Sequence, residues 1–189
     1  MKAIGIDVGG VKKGFHLALA DSTSQNIESI CANASIQEAI EFVDNHQPEI
    51  IAIDCPPRAA INGPNTRLSE RQINRLPGVR IQWTRRPSHT PPEWMTHGEQ
   101  LWRALAHEFP QLPIIETFPT AVAISMNNCP IHFPLTLCKG NTKLRSGYKD
   151  LLDASLCAYV GLKVLQATAN VVGTDDLTGE TDELGPIYY

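Results

Sequence analysis

The sequence predicts a single α/β domain built around a mixed sheet. Its 189 residues suit one domain, and a hydrophobic content of 42% is enough for a core without disulfide staples. Three strand-like runs come first, and the short links between them contain glycine, which is typical of antiparallel hairpins. An amphipathic helix then precedes a fourth apolar run, and such a helix between strands indicates an α/β layer.

The first half of the chain predicts strands before helices. The first run alternates so that Asp7 shares a strand face with Ala3 and Gly5, which are small enough for a helix to lie close against them. Ser35 is a suitable N-cap for the amphipathic helix. The run that reaches Asp54 is apolar on both faces and is expected in the centre of the sheet. The expected elements are strands over residues 2–8, 14–20, 27–32 and 49–55 and a helix over residues 36–45.

The second half predicts several helices and one further strand. Pro91 and Pro92 fit the start of a long helix. The expected elements are helices over residues 68–76, 92–109, 121–126 and 146–166, a strand over 112–118 and an irregular stretch over 127–142. Residues 1–170 are thus expected to form one domain with an arginine-rich insertion at about 58–92. Residues 171–189 hold five acids and no base, which predicts an acidic surface tail.

Composition limits the function classes. A net charge of -4 argues against a protein that coats nucleic acid non-specifically, although a local basic patch remains compatible with it. The five cysteines are scattered and lack CxxC spacing, which fits reduced thiols better than disulfides or a zinc site. No segment reaches the roughly 18 apolar residues of a membrane span. We therefore expect a cytoplasmic protein without a membrane partner.

Acidic residues stand near the ends of predicted strands and reappear on the last helix. Asp7, Asp54 and Glu116 each lie near the end of an apolar run. Asp150 and Asp153 are three residues apart, so they share one face of the last helix. Acids in a first helical turn also favour its positive end, so the pair alone leaves a structural role open. The same face continues as a stripe of small residues, Ala154, Cys157, Ala158 and Gly161.

These acids together predict a metal site. If the last helix lies beside the first and fourth strands, four or five carboxylates meet, and they cannot all stay ionised without compensation. Mg²⁺ or Mn²⁺ with oxygen ligands is the natural compensation, and two ions about 4 Å apart would support phosphodiester hydrolysis. In this interpretation Asp7 bridges two ions, and Asp54 and Asp153 each hold one. Asp150 is a ligand or orients water, and Glu116 is a second-tier candidate.

An arginine-rich stretch is a candidate phosphate-binding site. Residues 58–92 hold seven arginines and few acids. Arg67, Arg71 and Arg75 are four residues apart and would share a helix face, which suits phosphate recognition. A solvated, loop-rich insertion explains the same charges equally well.

Four stretches resemble a known family: GIDVG, IAIDCP, ETFPTA and DLLDASLCAYVG. They look like a family of predicted nucleases with a ribonuclease H-like fold, catalogued as domain of unknown function 429, over roughly residues 2–166. The wider superfamily includes RuvC-like Holliday-junction resolvases, whose acidic pattern matches Asp7, Asp54, Asp150 and Asp153. The resemblance implies a mixed five-stranded sheet, its first three strands antiparallel, with helices on both faces. It also implies a metal-dependent nuclease that acts on DNA or RNA.

Two other functions stay open. GIDVGGVKKG resembles the first phosphate loop of actin-like and sugar-kinase nucleotide binders, but those proteins have two lobes, and Cys55, Pro56 and Pro57 stand where a second glycine-rich loop is expected. A non-catalytic ribonuclease H-like binding domain is the third alternative. The sequence leaves open which nucleic acid is the substrate and whether the chain acts as a homodimer. The histidines lack metal-ligand spacing and are expected to be surface or structural residues: His16, His46, His89, His97, His107 and His132.

Overall fold

A mixed sheet runs through the centre of the molecule. The structure is a computed structural model that describes residues 1–24, 26–62, 66–125 and 142–189, with side chains of the last range from residue 147 onward. The first half contains β1 (Lys2–Val8), β2 (Phe15–Asp21), β3 (Asn26–Ala34), α1 (Ile36–His46) and β4 (Ile50–Asp54). The next elements are α2 (Leu68–Ile73), α3 (Glu93–Glu108), β5 (Ile114–Thr117), α4 (Pro119–Ser125) and α5 (Thr142–Leu165). Residues 127–141 of the stretch predicted to be irregular lie outside the described residues, and Thr142 begins α5.

The order of the first five strands is β3-β2-β1-β4-β5. β1 is antiparallel to β2 and parallel to β4, β2 is antiparallel to β3, and β4 is parallel to β5. The predicted α/β class is therefore confirmed, and so is the antiparallel arrangement of the first three strands. This order brings the carboxyl ends of the parallel strands β1, β4 and β5 to one edge of the sheet.

One face of the sheet holds the larger apolar core. α1 and α3 cover this face, and their buried residues pack against the side of β1 and β4 that carries Ile4, Ile6 and Ile53. Ser35 caps α1 through a reciprocal pair of hydrogen bonds with Glu38, as its position in the sequence predicts. Helices on this face and α5 on the other give the expected layers on both sides of the sheet.

The opposite face is closed by α5, which packs directly on β1. A methyl group on Gly5 would overlap the carbonyl oxygen of Ala154 and the amide nitrogen of Ala158, and would lie 2.7 Å from Cβ of Cys157. The small residues predicted on the helix face therefore allow backbone-to-backbone approach. Gly161 makes a similar approach further along, where an added Cβ would lie 2.8 Å from Cβ of Ala3.

The C-terminal segment enlarges the sheet. It contains β6 (Val171–Val172), β7 (Thr174–Asp175), β8 (Glu180–Thr181) and β9 (Ile187–Tyr188). β9 pairs in parallel with β5, β6 pairs with β9, and the sheet has seven strands among the described residues. The structure therefore differs from the expected five-stranded sheet and surface tail. The C-terminal segment adds strands to the sheet, and its apolar Ile187 is fully buried beside β5. No helix of the described residues is long and apolar enough to cross a membrane.

Candidate metal centre and adjoining cavity

Two predicted acids lie side by side at the carboxyl edge of the sheet. Asp7 is the neighbour of Asp54 in the parallel register of β1 and β4. Asp7 is 8% exposed, and both side chains stand where apolar strands end. The strand positions alone therefore bring two carboxylates together.

α5 brings the second pair of acids to the same edge. Because its small-residue face lies against Gly5, Asp150 and Asp153 come close enough for their charges to act on Asp7. Asp150 is 6% exposed, and its Oδ2 has no hydrogen-bond partner among the described residues. The structure thus gathers all four principal acids that the sequence singled out.

Two lysines partly neutralise the helical acids. Nζ of Lys13 lies 2.7 Å from Oδ1 of Asp150, and Nζ of Lys149 lies 2.8 Å from Oδ2 of Asp153. Lys13 belongs to the turn between β1 and β2, and Lys149 precedes Asp150 on α5. Both lysines are largely exposed, whereas the acids they meet are not.

His16 is a member of the centre that the sequence prediction missed. The sequence led us to expect a surface or a hydrogen-bonded structural histidine, and at 1% exposure His16 is not at the surface. Its Nδ1 lies 3.7 Å from Oδ2 of Asp7 and its Nε2 lies 4.0 Å from Oδ2 of Asp150. The missed signal was the hairpin register, which pairs Asp7 directly with His16 across β1 and β2.

Asp7, His16 and Asp150 form a group that could hold a metal ion. Each offers one ligand atom, and these atoms lie within 4.8 Å of one another. Nδ1 of His16 is buried and has no hydrogen-bond partner among the described residues. Burial lowers the pKa of His16, which favours the neutral imidazole that a metal requires.

Burial raises the pKa values of carboxyl groups in the centre. Burial, followed by the charges of Asp150 and Asp153, raises the pKa of Asp7 to about 7. Burial also raises the pKa of Asp54 well above its ordinary value, and Asp7 adds to that shift. Burial raises the pKa of Asp153 as well, against the opposing effect of Lys149. Without a cation, the centre therefore retains protons that ordinary carboxyl groups would release.

A cavity of about 350 Å³ adjoins the centre, here called the side cavity. Asp54 and Asp153 lie in its wall, together with Trp94 of α3 and Lys149. Thr117, the last residue of β5, also lines it. Thr117 is 2% exposed, and its hydroxyl has no hydrogen-bond partner among the described residues.

Glu116 and Arg67 form a buried ion-pair network instead of a substrate site. Two guanidinium nitrogens of Arg67 donate to the carboxylate of Glu116 at 2.8 and 3.2 Å, and its Nε donates to Asp182 at 3.1 Å. The Arg67 side chain is 0% exposed. Its donors are thus directed to protein carboxylates, which removes it from the predicted set of phosphate-binding arginines. Burial raises the pKa of Glu116 above its ordinary value, although Arg67 opposes the shift.

The other two predicted phosphate-binding arginines lie away from the side cavity. Arg71 donates to the carbonyl oxygen of Thr66 at 2.9 Å and to Glu180 at 2.6 Å. Arg75 is exposed, and neither of the two lines the side cavity. Arg80 does line it, although the sequence analysis gave this arginine no role.

The glycine turn after β1 is closed on itself. The amides of Gly9, Lys13 and Gly14 donate to carbonyl oxygens within the turn, at 3.1, 2.8 and 3.0 Å. Those three amides are not available to cradle a phosphate, as the loop of a sugar kinase would do. The turn instead carries Lys13 to Asp150.

Comparisons with known proteins add little to this geometry. No family model matches the chain, so membership of the domain of unknown function 429 family stays a prediction. A curated protein of Xenopus laevis, CREB-regulated transcription coactivator 3, is 31% identical over 123 residues, or 63% of this chain. The chain spans only 18% of that protein's length. The solved RuvC structure of Thermus thermophilus is 11% identical, with a TM-score of 0.45, and the match covers 89% of this chain and 98% of that chain.

Proposed function

We propose that this chain is a metal-dependent nuclease that hydrolyses phosphodiester bonds with Mg²⁺ or Mn²⁺. The observation that carries the proposal is a pair of buried atoms without hydrogen bonds among the described residues, Nδ1 of His16 and Oδ2 of Asp150. An unsatisfied buried polar group costs about 1–3 kcal/mol. A cation held by Asp7, Asp150 and one ring nitrogen of His16 would give Asp150 a partner, and would also satisfy Nδ1 of His16 if that nitrogen is the ligand.

The donor set fits a divalent ion of the first transition row or Mg²⁺. Asp7 and Asp150 provide hard carboxylate oxygens, which Mg²⁺ and Mn²⁺ both accept. The imidazole of His16 favours Mn²⁺ between the two. We therefore choose Mn²⁺ as the first ion to test.

The local charges favour one ion before a second. Asp7, Asp54, Asp150 and Asp153 supply four negative charges when ionised, and two nearby lysines return two positive charges. A single divalent cation would balance the remainder. In the two-ion mechanism, a second cation would use Asp54 and Asp153, and it would have to compete with Lys149 for Asp153.

The protein groups have distinct roles in the proposed reaction. The bound ion would polarise the phosphate and make a water molecule more acidic. With a single ion bound, Asp54 is the proposed proton acceptor, because it stands beside Asp7 and is not one of the three candidate ligands. Lys13 and Lys149 hold Asp150 and Asp153 in place and add positive charge for the phosphate.

Mn²⁺ binding and strand cleavage test the proposal separately. We expect wild type to bind Mn²⁺ in calorimetry and to cleave a labelled DNA or RNA strand in Mn²⁺. Asp7→Asn and His16→Gln should each weaken Mn²⁺ binding and lower cleavage, Asp7→Asn by more than roughly a hundredfold, since even outer-shell partners of a metal cost about 10–100-fold. Exposed Asp176 and His107 provide the matched controls Asp176→Asn and His107→Gln.

The outcomes separate the two parts of the proposal. Equal cleavage by wild type and Asp7→Asn would mean that the activity comes from a contaminant or another site. Mn²⁺ binding without cleavage of DNA or RNA would keep the metal centre and refute the nuclease. Absence of Mn²⁺ binding would refute both.

A further inference from the structure

The side cavity has the composition of a site for a polar, partly aromatic ligand. Its volume of about 350 Å³ lies at the lower end of the range of small-molecule sites, roughly 300–1,000 Å³. Trp94 is partly buried against the core and also lines the cavity. Arg80, Gln82 and Thr117 place polar groups around it. A volume of this size suits a single nucleotide.

Thr117 lies in the part of the cavity wall that adjoins Asp54. Thr117 follows Glu116, which pairs with Ile53 in the parallel register, so Thr117 lies beside Asp54. A buried hydroxyl without a partner carries a cost in the free protein that a ligand can remove. A residue with a buried, unsatisfied hydroxyl thus lies in the cavity wall directly beside the proposed metal centre.

Glu70 holds one part of the cavity wall in position. One oxygen of this buried carboxylate accepts from the amide and the hydroxyl of Thr84, at 2.7 and 2.6 Å. Its other oxygen accepts from the amide of Arg67 at 3.2 Å. The segment from Arg80 to Thr84 is therefore anchored at its end, which limits the cost of ordering it around a ligand.

Positive charge is available at the cavity despite the acids in its wall. Glu116 shares Arg67 with Asp182, Asp153 is paired with Lys149, and Asp54 and Glu70 also lie in the wall. Arg80 has no carboxylate partner among the described residues, and its one described hydrogen bond goes to the carbonyl oxygen of Val79. Its remaining donors are free to meet a phosphate.

We propose that the side cavity receives one unstacked nucleotide of a nucleic-acid strand, next to the phosphate that is cut. The base would stack on Trp94, Thr117 would donate or accept a hydrogen bond, and Arg80 would contact a phosphate. This inference rests on the proposed nuclease function, since it places the nucleotide beside that reaction. It assigns the enzyme to substrates with at least one unpaired nucleotide, in preference to continuous duplex.

Binding without divalent ions tests the inference independently of cleavage. Fluorescence anisotropy in EDTA would compare a fully paired duplex with the same duplex carrying one unpaired nucleotide in mid-strand. We expect wild type to bind the second duplex about tenfold tighter. Thr117→Val and Arg80→Gln should each reduce this preference by about fivefold, the effect of one hydrogen bond, with little change for the paired duplex.

Matched controls separate this effect from general damage. Thr96→Val and Arg103→Gln change exposed residues of α3 outside the cavity and should retain the preference. Ligand-free Thr117→Val should melt no lower than wild type, because its hydroxyl has no described partner to lose. If Thr117 acted only in folding, Thr117→Val would melt at a lower temperature than wild type.

The remaining outcomes overturn the inference. Equal binding of both duplexes by wild type, or an unchanged preference in Thr117→Val, would refute a nucleotide pocket while metal binding and cleavage persist. If free adenosine monophosphate quenches the tryptophan fluorescence and binds as tightly as the unpaired strand, the cavity is a site for free nucleotides and the strand proposal fails. If wild type does not cleave nucleic acid but still prefers the duplex with the unpaired nucleotide, the nuclease function is refuted and the nucleotide pocket stands.

Discussion

The contact between Gly5 and α5 predicts a severe effect of one methyl group. In Gly5→Ala, the new Cβ would overlap backbone atoms of Ala154 and Ala158 and lie 2.7 Å from Cβ of Cys157. Carbon atoms pack best about 3.5–4.0 Å apart, so α5 would have to retreat by about 1 Å. Backbone atoms cannot rotate away as a side chain can, so relief requires movement of the whole helix.

The magnitude follows from overpacking and from the site that α5 carries. Extra methylene groups in tight cores cost about 1–3 kcal/mol, and a backbone clash places Gly5→Ala at about 3 kcal/mol or above. For a chain of this size, 1 kcal/mol shifts the melting temperature by about 2–4 °C, so we expect a fall of about 6–12 °C. Retreat of α5 also separates Asp150 from Asp7, so Mn²⁺ binding should weaken in the molecules that still fold.

Two other glycines provide a graded control. Gly147 lies on α5 with no atom within 4 Å of an added Cβ, so Gly147→Ala should stabilise the protein by up to about 1 kcal/mol. In Gly161→Ala the new Cβ would meet side-chain atoms of Ala3 at 2.8 Å and Ile50 at 3.1 Å, so its effect should be intermediate. Urea unfolding in EDTA measures all three variants. The reasoning is refuted if Gly5→Ala unfolds within about 0.5 kcal/mol of wild type and retains its Mn²⁺ affinity.

Further predictions concern protons and buried charges. Because the pKa of Asp7 is raised from 3.8 to about 7, the folded state holds a proton that the unfolded state has already lost between these values. Without metal, the contribution of Asp7 to stability should therefore fall as pH rises from about 4 to 7, by an upper bound of roughly 4 kcal/mol, and level off above 7. In Asp7→Asn, the pH dependence of stability, measured by thermal melts, should involve about one proton fewer than in wild type. An unchanged slope of stability against pH would assign the dependence to other groups. Mn²⁺ stabilisation of wild type should grow over the same range, because the ion requires the ionised carboxylate. Arg67→Met leaves Glu116 and Asp182 buried without their partner and should cost about 3–5 kcal/mol in urea unfolding. Arg71→Ala breaks a more exposed pair and should cost below about 1 kcal/mol, so equal losses would contradict the buried network.

Local patterns in the sequence were sufficient for most elements of the sheet. Alternation and apolar runs located β1 and β4 closely, and the glycine links indicated the antiparallel start of the sheet. The small stripe on α5 predicted close packing, and Gly5 is its partner on β1. Strand ends and helix faces are set within a few residues, so a single sequence was enough to select the four principal acids.

The errors arose where distant segments meet. The acidic C-terminal segment looked like a tail, but Ile187 pairs beside β5 and Asp182 contacts Arg67. The pairing of Arg67 with Glu116 joins residues that are 49 positions apart, and no local pattern distinguishes it from an exposed phosphate-binding arginine. Burial of these groups is decided by the tertiary fold.

By itself, the sequence singled out four acids as candidate metal ligands and indicated which faces can pack closely, since strand alternation and helical periodicity are local. Only the tertiary structure decided how those residues are grouped. Hairpin register placed His16 opposite Asp7, and helix docking brought Asp150 to both. The same packing placed Asp54 and Asp153 in the wall of the side cavity with Thr117. Burial, neighbouring charge and cavity shape depend on residues far apart in the chain, which is why the candidate site emerged fully only from the fold.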